Sequence, residues 1–288
     1  MYAERPPSAD LTDRVACGWH RISGVAYTQL VVPDACVDLI WGPDGLFVAG
    51  PDTGPMPSTV GAGDTLVGIR FRPGAAGDFF GLPLQELRDR RVPLTDLPIL
   101  RPLVADLMGR QLMDEPDPMN RKLINKPDLM NRSGLADRRL SERGLMDRPE
   151  LSDHHRLVVV EERLRAMQDA VRRHLATGRS GPADPAAPAI AAALRQGRSV
   201  AEVAWDLGYS ERHLQRRSLH SFGYAPKTLQ RIVRFQHALR LARAGAPLAE
   251  VAVTAGYTDQ AHLANDVKRL SGLPMSRLIS PARVRQPA

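Results

Sequence analysis

The sequence predicts an α+β multidomain protein: a β-rich, barrel- or sandwich-like N-terminal domain ahead of an all-α C-terminal domain built from a duplicated helix-turn-helix. Three observations predict it. Residues 1–80 are cut by Gly and Pro into short runs rich in β-branched and aromatic residues. Residues 200–214 and 248–263 spell one motif twice, VAEVAWDLGYSERHL and LAEVAVTAGYTDQAHL. The formal net charge of +7 is unevenly spread, at −3 over residues 1–112, +2 over 113–183 and +8 over 184–288. A mildly acidic front joined to a basic back suits a sensor attached to a polyanion binder.

In the front, Val25–Val32, Val37–Trp41, Leu46–Ala49 and Leu66–Phe71 read as strands, parted by turns such as Gly42-Pro43-Asp44-Gly45. Further strands fit around Ile22 and Thr59. Leu97–Met113 reads as a helix with Leu100, Leu103, Val104 and Leu107 on one face. The putting together of these elements gives a domain over 1–112 that senses a ligand or mediates assembly.

Residues 113–153 change character. A degenerate unit recurs there (Met119-Asn120-Arg121, Met130-Asn131-Arg132, Ala136-Asp137-Arg138, Met146-Asp147-Arg148), polar and dotted with Pro and Gly. Such a stretch has too little apolar surface to offset the entropy of ordering, so it reads as a low-complexity linker. Residues 154–183 hold a connecting helix and the start of a hinge. Leu157, Val160, Leu164, Met167, Val171 and Leu175 make one stripe that can pack on the sensor or on a second subunit. Residues 178–188 (GRSGPADPAAP) read as flexible.

From 184 to 288 the pattern is helical. Ala189–Gln196 is a first piece. Val200–Leu207 with Glu211–Ser221, and Leu248–Ala255 with Asp259–Leu270, form the two units, and a short helix follows Pro274. The helix between the units starts at Pro226 and has roughly 18 residues, hence roughly 27 Å at 1.5 Å per residue. That length holds two reading heads near one DNA turn, about 34 Å, apart. Gly208 and Gly256 sit in the turns, where a positive φ is needed. Ser210 and Thr258 are placed to cap the second helix of each unit with a hydroxyl. Val203, Ala204, Leu214 and their equivalents are core.

The outward positions of the second helices are the candidate DNA contacts. Arg212, Gln215, Arg216 and Arg217 project from the first. Arg pairs bidentately with guanine and Gln with adenine, and either can hold phosphate. Gln260, Ala261, Ala264 and Asn265 project from the second, with Lys268 and Arg269 further along. This set is less basic, so the first head supplies more charge. The second discriminates through Asn265, Gln260 and an apolar Ala contact to a thymine methyl. His213 and His262 lie beside core leucines and read as structural or phosphate-near.

Residues 190–280 resemble the AraC/XylS DNA-binding domain. GYSERHLQRRSLHSFGYAPKTLQ resembles its first reading helix with the FG-x-x-P exit, and GYTDQAHLANDVKRLSGLPMSRL the second with its G-x-P ending. The resemblance implies base contacts by Arg212, Gln215 and Arg216, and by Gln260, Ala261 and Asn265. Asn265 stands where an arginine is frequent in that family, and Val267 where a phenylalanine is usual. VVPDACVDLIWGPDGLFVAGPD, VGIRFRPGAA and LRDRRVPLTDL resemble an uncharacterised sensor-like domain found ahead of such reading domains. The expected function is a transcription regulator reading two adjacent major-groove segments, with control by a small ligand. One alternative is a front that only oligomerises. The other is a degenerate cupin-like enzyme domain fused to the DNA module.

Composition weighs against the enzyme. Residues 1–150 contain one histidine, His20, whereas a metal cupin needs a cluster of His and carboxylate ligands. Cys17 and Cys36 form no CxxC pair, have no histidine other than His20 as a base, and read as reduced thiols. No catalytic residue, metal or cofactor is expected. Asp34, Asp38, Arg70 and Arg72 with Trp41 and Phe71 could line a polar pocket, though strand-end salt bridges and core aromatics explain them better. No apolar run approaches 18 residues and no signal peptide is evident, so the expected place is the cytoplasm. Double-stranded DNA is the implied partner; RNA polymerase and an unidentified small molecule are further candidates. The chain can act as a monomer with two heads or as a homodimer.

Overall fold

The computed structural model describes residues 1–114 and 153–280. The predicted linker at 113–153 falls almost wholly outside them. The front is a six-stranded antiparallel sheet in the order β1-β2-β7-β4-β5-β8, formed by β1 (Tyr2–Arg5), β2 (Val15–Ile22), β4 (Val37–Gly42), β5 (Gly45–Ala49), β7 (Thr65–Phe71) and β8 (Arg91–Pro93). A two-stranded ribbon pairs β3 (Tyr27–Val31) with β6 (Met56–Val60). The two edge strands escape the sequence pattern because YAER and RVP are short and carry charge. Such residues are what a sheet edge uses against stray pairing.

Alternation along each strand divides the sheet into two faces. Val67, Ile69 and Phe71 of β7, with Leu39 and Trp41 of β4, join a core completed by α1 (Arg101–Asp114) and α2 (Asp153–Ala176). Leu103 and Leu107 of α1 and Val160, Leu164, Met167 and Val171 of α2 are buried in it. Each such side chain contributes roughly 1.5–3 kcal/mol of transfer free energy. Of the predicted α2 stripe, Leu157 stays exposed and Leu175 is partly buried against the core. The helix is therefore part of the N-terminal core, not a connector beyond it.

The opposite face carries Cys17, Trp19 and Ile40. Asp38 and Arg70 face each other across β4 and β7 and form a two-pronged pair at 3.0 and 2.9 Å. Asp34 and Glu4 stand 3.8 Å from the same guanidinium. The six-residue pocket weighed from the sequence does not form. Trp41 and Phe71 are one residue out of phase with this face and lie in the helix-covered core. Arg72 turns away to donate to the Thr12 carbonyl at 2.7 Å. Burial pushes the Cys17 thiol up to about 11 and the Cys36 thiol well above its usual value, so neither is a ready nucleophile at neutral pH.

The back is all helix: α3 (Ala187–Arg195), α4 (Val200–Asp206), α5 (Glu211–Phe222), α6 (Pro226–Arg243), α7 (Leu248–Thr254), α8 (Gln260–Ser271) and α9 (Met275–Ile279). Its core joins Ile190, Leu194, Val203, Leu214, Leu229, Phe235, Val251, Leu263 and Val267. Ala35, from the turn before β4, is buried in that same core.

Residues 178–188, predicted as a flexible hinge, are tied on both sides, and the last two of them already belong to α3. The Gly181 carbonyl accepts from Arg14 at 3.0 Å, and Asp184 accepts from Arg217 and Ser221 of α5. In this stretch, which its Gly and Pro content marked as free, a backbone carbonyl and one carboxylate act as anchors instead. No helix among the described residues is long and apolar enough to cross a membrane.

Candidate nucleic-acid interface

Each unit is a short helix, a glycine turn and a longer helix. In the first, Ser199 and Glu202 form a reciprocal capping box on α4. Gly208 makes the turn at φ 67°, and the Ser210 hydroxyl accepts from the His213 amide at 3.2 Å. In the second, Gly256 turns at φ 79°. The cap of α8 is not Thr258, as the sequence suggested, but Asp259, whose carboxylate accepts from the His262 amide at 2.7 Å. The one-residue insertion after the turn is the reason. It moves the helix start on by one and places a carboxylate at the positive helix end, where a negative group is favoured. Thr258 is left beside the His262 ring, 3.3 Å from Nδ1.

On α5, Leu214, Ser218, Ser221 and Phe222 face the core. Arg212, Gln215 and Arg216, spaced i, i+3, i+4, are exposed on another side. On α8, Leu263, Asp266, Val267 and Leu270 face inward, while Gln260, Ala261, Ala264, Asn265, Lys268 and Arg269 are exposed. Both heads thus present polar donors on helix surfaces free of core contacts. His213 packs on Tyr209 with ring centroids 4.5 Å apart, and His262 on Tyr257 at 5.2 Å, so each brackets its turn.

Arg217 departs from its predicted place. It lies with its guanidinium 5.0 Å over the Tyr209 ring and bonded to Asp184, with Nε donating at 3.0 Å. One residue past Arg216 on a helix is a rotation of about 100°, which takes Arg217 off the outer face. Burial raises the Asp184 carboxyl, but the hydrogen bonds from Arg217, the Ala186 amide and Ser221 outweigh it, and the net shift is downward. The position matching Arg217 in the second unit is Asp266. It holds Arg234 at 3.0 Å and Arg231 at 3.4 Å, both from α6, and Arg234 lies 4.2 Å over the Tyr257 ring. Each turn tyrosine therefore carries an arginine, with donor and acceptor exchanged between the copies.

An open cleft of about 430 Å³ lies between α5 and residues 182–185, walled by His213, Arg216, Arg217, His220 and Asp184. Beyond it, the front grips the end of α5. His220 meets Asp78 at 2.9 Å, the Tyr224 hydroxyl donates to the Asp52 carbonyl at 2.7 Å, and Arg88 reaches the Gly223 carbonyl at 3.3 Å. Gly223 sits at φ 77° with Pro51 and the Leu84 carbonyl so close that a Cβ would lie 2.5 Å from the proline ring. None of Asp52, Asp78, Asp184 or Tyr224 was singled out from the sequence. Two cues were visible: Asp184 is one of only seven acids after residue 183, and Tyr224 is a large aromatic in an exit turn.

Family comparison fits this geometry. Residues 206–280 match the model of a helix-turn-helix domain, and residues 3–93 that of a domain of unknown function. The C-terminal region is an AraC/XylS-type helix-turn-helix domain. It makes the chain a DNA-binding transcription regulator. No curated protein matches the regulator. Among solved structures, it is similar to the C-terminal domain of AraT, a response regulator from Geobacillus stearothermophilus, at 18% identity over 36% of this chain and 93% of that one, with a TM-score of 0.32. ToxT from Vibrio cholerae is 10% identical over 96% of this chain and 97% of its own, with a TM-score of 0.41. A wild-type ToxT structure bound to an unsaturated fatty acid is 8% identical over 91% of this chain and 93% of its own, at 0.37. At these scores the overlap is loose and assigns no ligand to the regulator.

Proposed function

We propose that α5 and α8 read two adjacent major-groove segments of one operator. Arg212, Gln215 and Arg216 contact the first, and Gln260, Ala261, Asn265 and Lys268 the second. The single observation behind this reading is the pair of capped, outward-facing helices joined by the 18-residue α6, roughly 27 Å long. That span suits heads placed near one turn of B-DNA. The first head binds with more charge, and the second with more discrimination through amide and apolar groups. The front domain regulates this binding and is not an enzyme; the raised thiols and the salt-bridged Asp38–Arg70 pair support that reading. Control comes from a small molecule taken up by the front, and RNA polymerase is the downstream partner. The units at 1–112, 154–183 and 184–288 divide this labour, although α2 packs with the first.

Fluorescence anisotropy on DNA from the promoter beside the regulator's own gene tests the DNA reading. Nanomolar, salt-dependent binding that Arg216→Ala weakens supports it; equal affinity for the wild type and Arg216→Ala, with both folded, would refute the base-contact assignment. A thermal-shift screen with small metabolites tests ligand control, since a ligand bound only to the folded state raises the midpoint.

A further inference from the structure

Two nitrogen-bearing side chains along one flank of α5, Arg217 and His220, are occupied by carboxylates that come from outside the helix-turn-helix. Asp184, from the segment between α2 and α3, takes Arg217. Asp78, from the 3-10 turn after β7, takes His220. The grip is anchored on the exit turn of the same helix. Tyr224, with no exposed surface, reaches Asp52, and the Phe222 ring lies where a Cβ at Gly74 would be 2.7 Å away. The second head carries no counterpart of this arrangement among the described residues. The position matching His220 is Arg269, exposed and without an ion pair there, and the position matching Arg217 is an acid held by α6. The front meets α8 through Pro55 beside Gly272.

We propose that Arg217 and His220 are phosphate ligands held in reserve: Asp184 and Asp78 occupy them in the free protein, and opening this clasp adds backbone contacts at the first head alone. The inference rests on α5 entering the major groove. A helix seated there has a phosphate strand on either side, and flanking cations reach it. Arg217 and His220 flank Arg216, and both border the cleft that Arg216 lines. A phosphate oxygen offers the same acceptor chemistry as the carboxylate it would replace, with Arg able to engage either through two N–H groups. While the clasp is closed, the carboxylates also place negative charge beside the path of the DNA backbone. Anything that separates the front from the exit turn of α5 would therefore raise DNA affinity without altering base readout.

The test uses the full chain on a non-specific duplex over a salt series. Asp184→Asn keeps an oxygen to accept from the Ala186 amide but drops the charge. It should tighten binding about 3- to 10-fold at roughly 0.1 M salt and steepen the log K against log salt slope by about 0.9, the increment for one more neutralised phosphate. Arg217→Ala in the same background should erase both gains. Unchanged affinity and slope in folded Asp184→Asn, or a gain that survives Arg217→Ala, would overturn the proposal. Should circular dichroism show Asp184→Asn unfolded, Asp78→Asn takes its place, since both side chains of that pair are 45% exposed. A gain of about 2- to 3-fold, erased by His220→Ala, is then expected, and no gain would count equally against the clasp. A wild type that binds no duplex at low salt would defeat the groove reading itself, a result separable from wild-type binding that the variants leave unchanged.

Discussion

The two helix-turn-helix units share a fold but not a means of support. The first is held from outside. Phe222 and Tyr224 at the end of α5 reach the front domain, and Arg217 and His220 are bonded to Asp184 and Asp78. The second is held from within, by Asp266 on Arg231 and Arg234 of α6 and by Ser271, which donates to the Val267 carbonyl at 2.7 Å. Ser271 stands where the first unit has Phe222. A duplicated motif has thus become one head bonded to the sensor through several side chains and one head anchored chiefly on α6, which the sensor meets at Pro55. The same secondary structure tolerates both because the turn and the buried aliphatics, which set the motif, are common to the two copies.

The largest expected contrast is in folding. Phe222→Ala should cost about 3–5 kcal/mol in urea unfolding, because a fully buried aromatic leaves a cavity at the contact of the two domains. Ser271→Ala should cost about 1 kcal/mol, the loss of local hydrogen bonds at a helix end. Equal losses would mean that the end of α5 is no more tightly coupled than the end of α8. Next comes DNA. Arg216→Ala should cost roughly 1–3 kcal/mol on the operator, and Asn265→Ala less, with its effect concentrated in loss of discrimination between bases. A larger loss of affinity from Asn265→Ala would reverse the proposed division between a charged head and a discriminating one.

Much of this was legible in the sequence, for reasons that particular residues make plain. The repeat fixed the turns, since Gly208 and Gly256 must take positive φ, and the helix ends, since Gly223 and Gly272 do the same. Strand positions followed from β-branched runs such as that of β7. Three things were hidden. Thr258 looked like a cap because threonine usually serves there, but an inserted residue put Asp259 nearer. Arg217 looked outward because three basic or polar residues preceded it, and no one-dimensional pattern could reveal a partner 33 residues away. The packing of α2 on the sheet was open, because an apolar stripe shows that a face is covered and not by what.

A smaller effect probes the anchor of the second head. Asp266→Asn should lower stability by about 1–3 kcal/mol, since two arginines lose the carboxylate between them. DNA binding at the first half-site should survive in protein that remains folded. Smallest is the acid response of the clasp. The Asp184 carboxyl is lowered in the folded protein, so its contribution is fully present above the unfolded value of about 3.9 and is lost as pH falls below it. Between pH 6 and pH 3 the wild type should therefore lose more stability than Asp184→Asn. Identical losses would show that the pair with Arg217 does not favour the folded state.

Hydroxyl-radical footprinting of the full chain on its operator tests the central claim most directly. Two protected segments about one helical turn apart should appear, with Arg216→Ala weakening protection of one and Asn265→Ala that of the other. A single protected segment, or equal weakening of both by either substitution, would contradict a regulator with two separately supported reading heads.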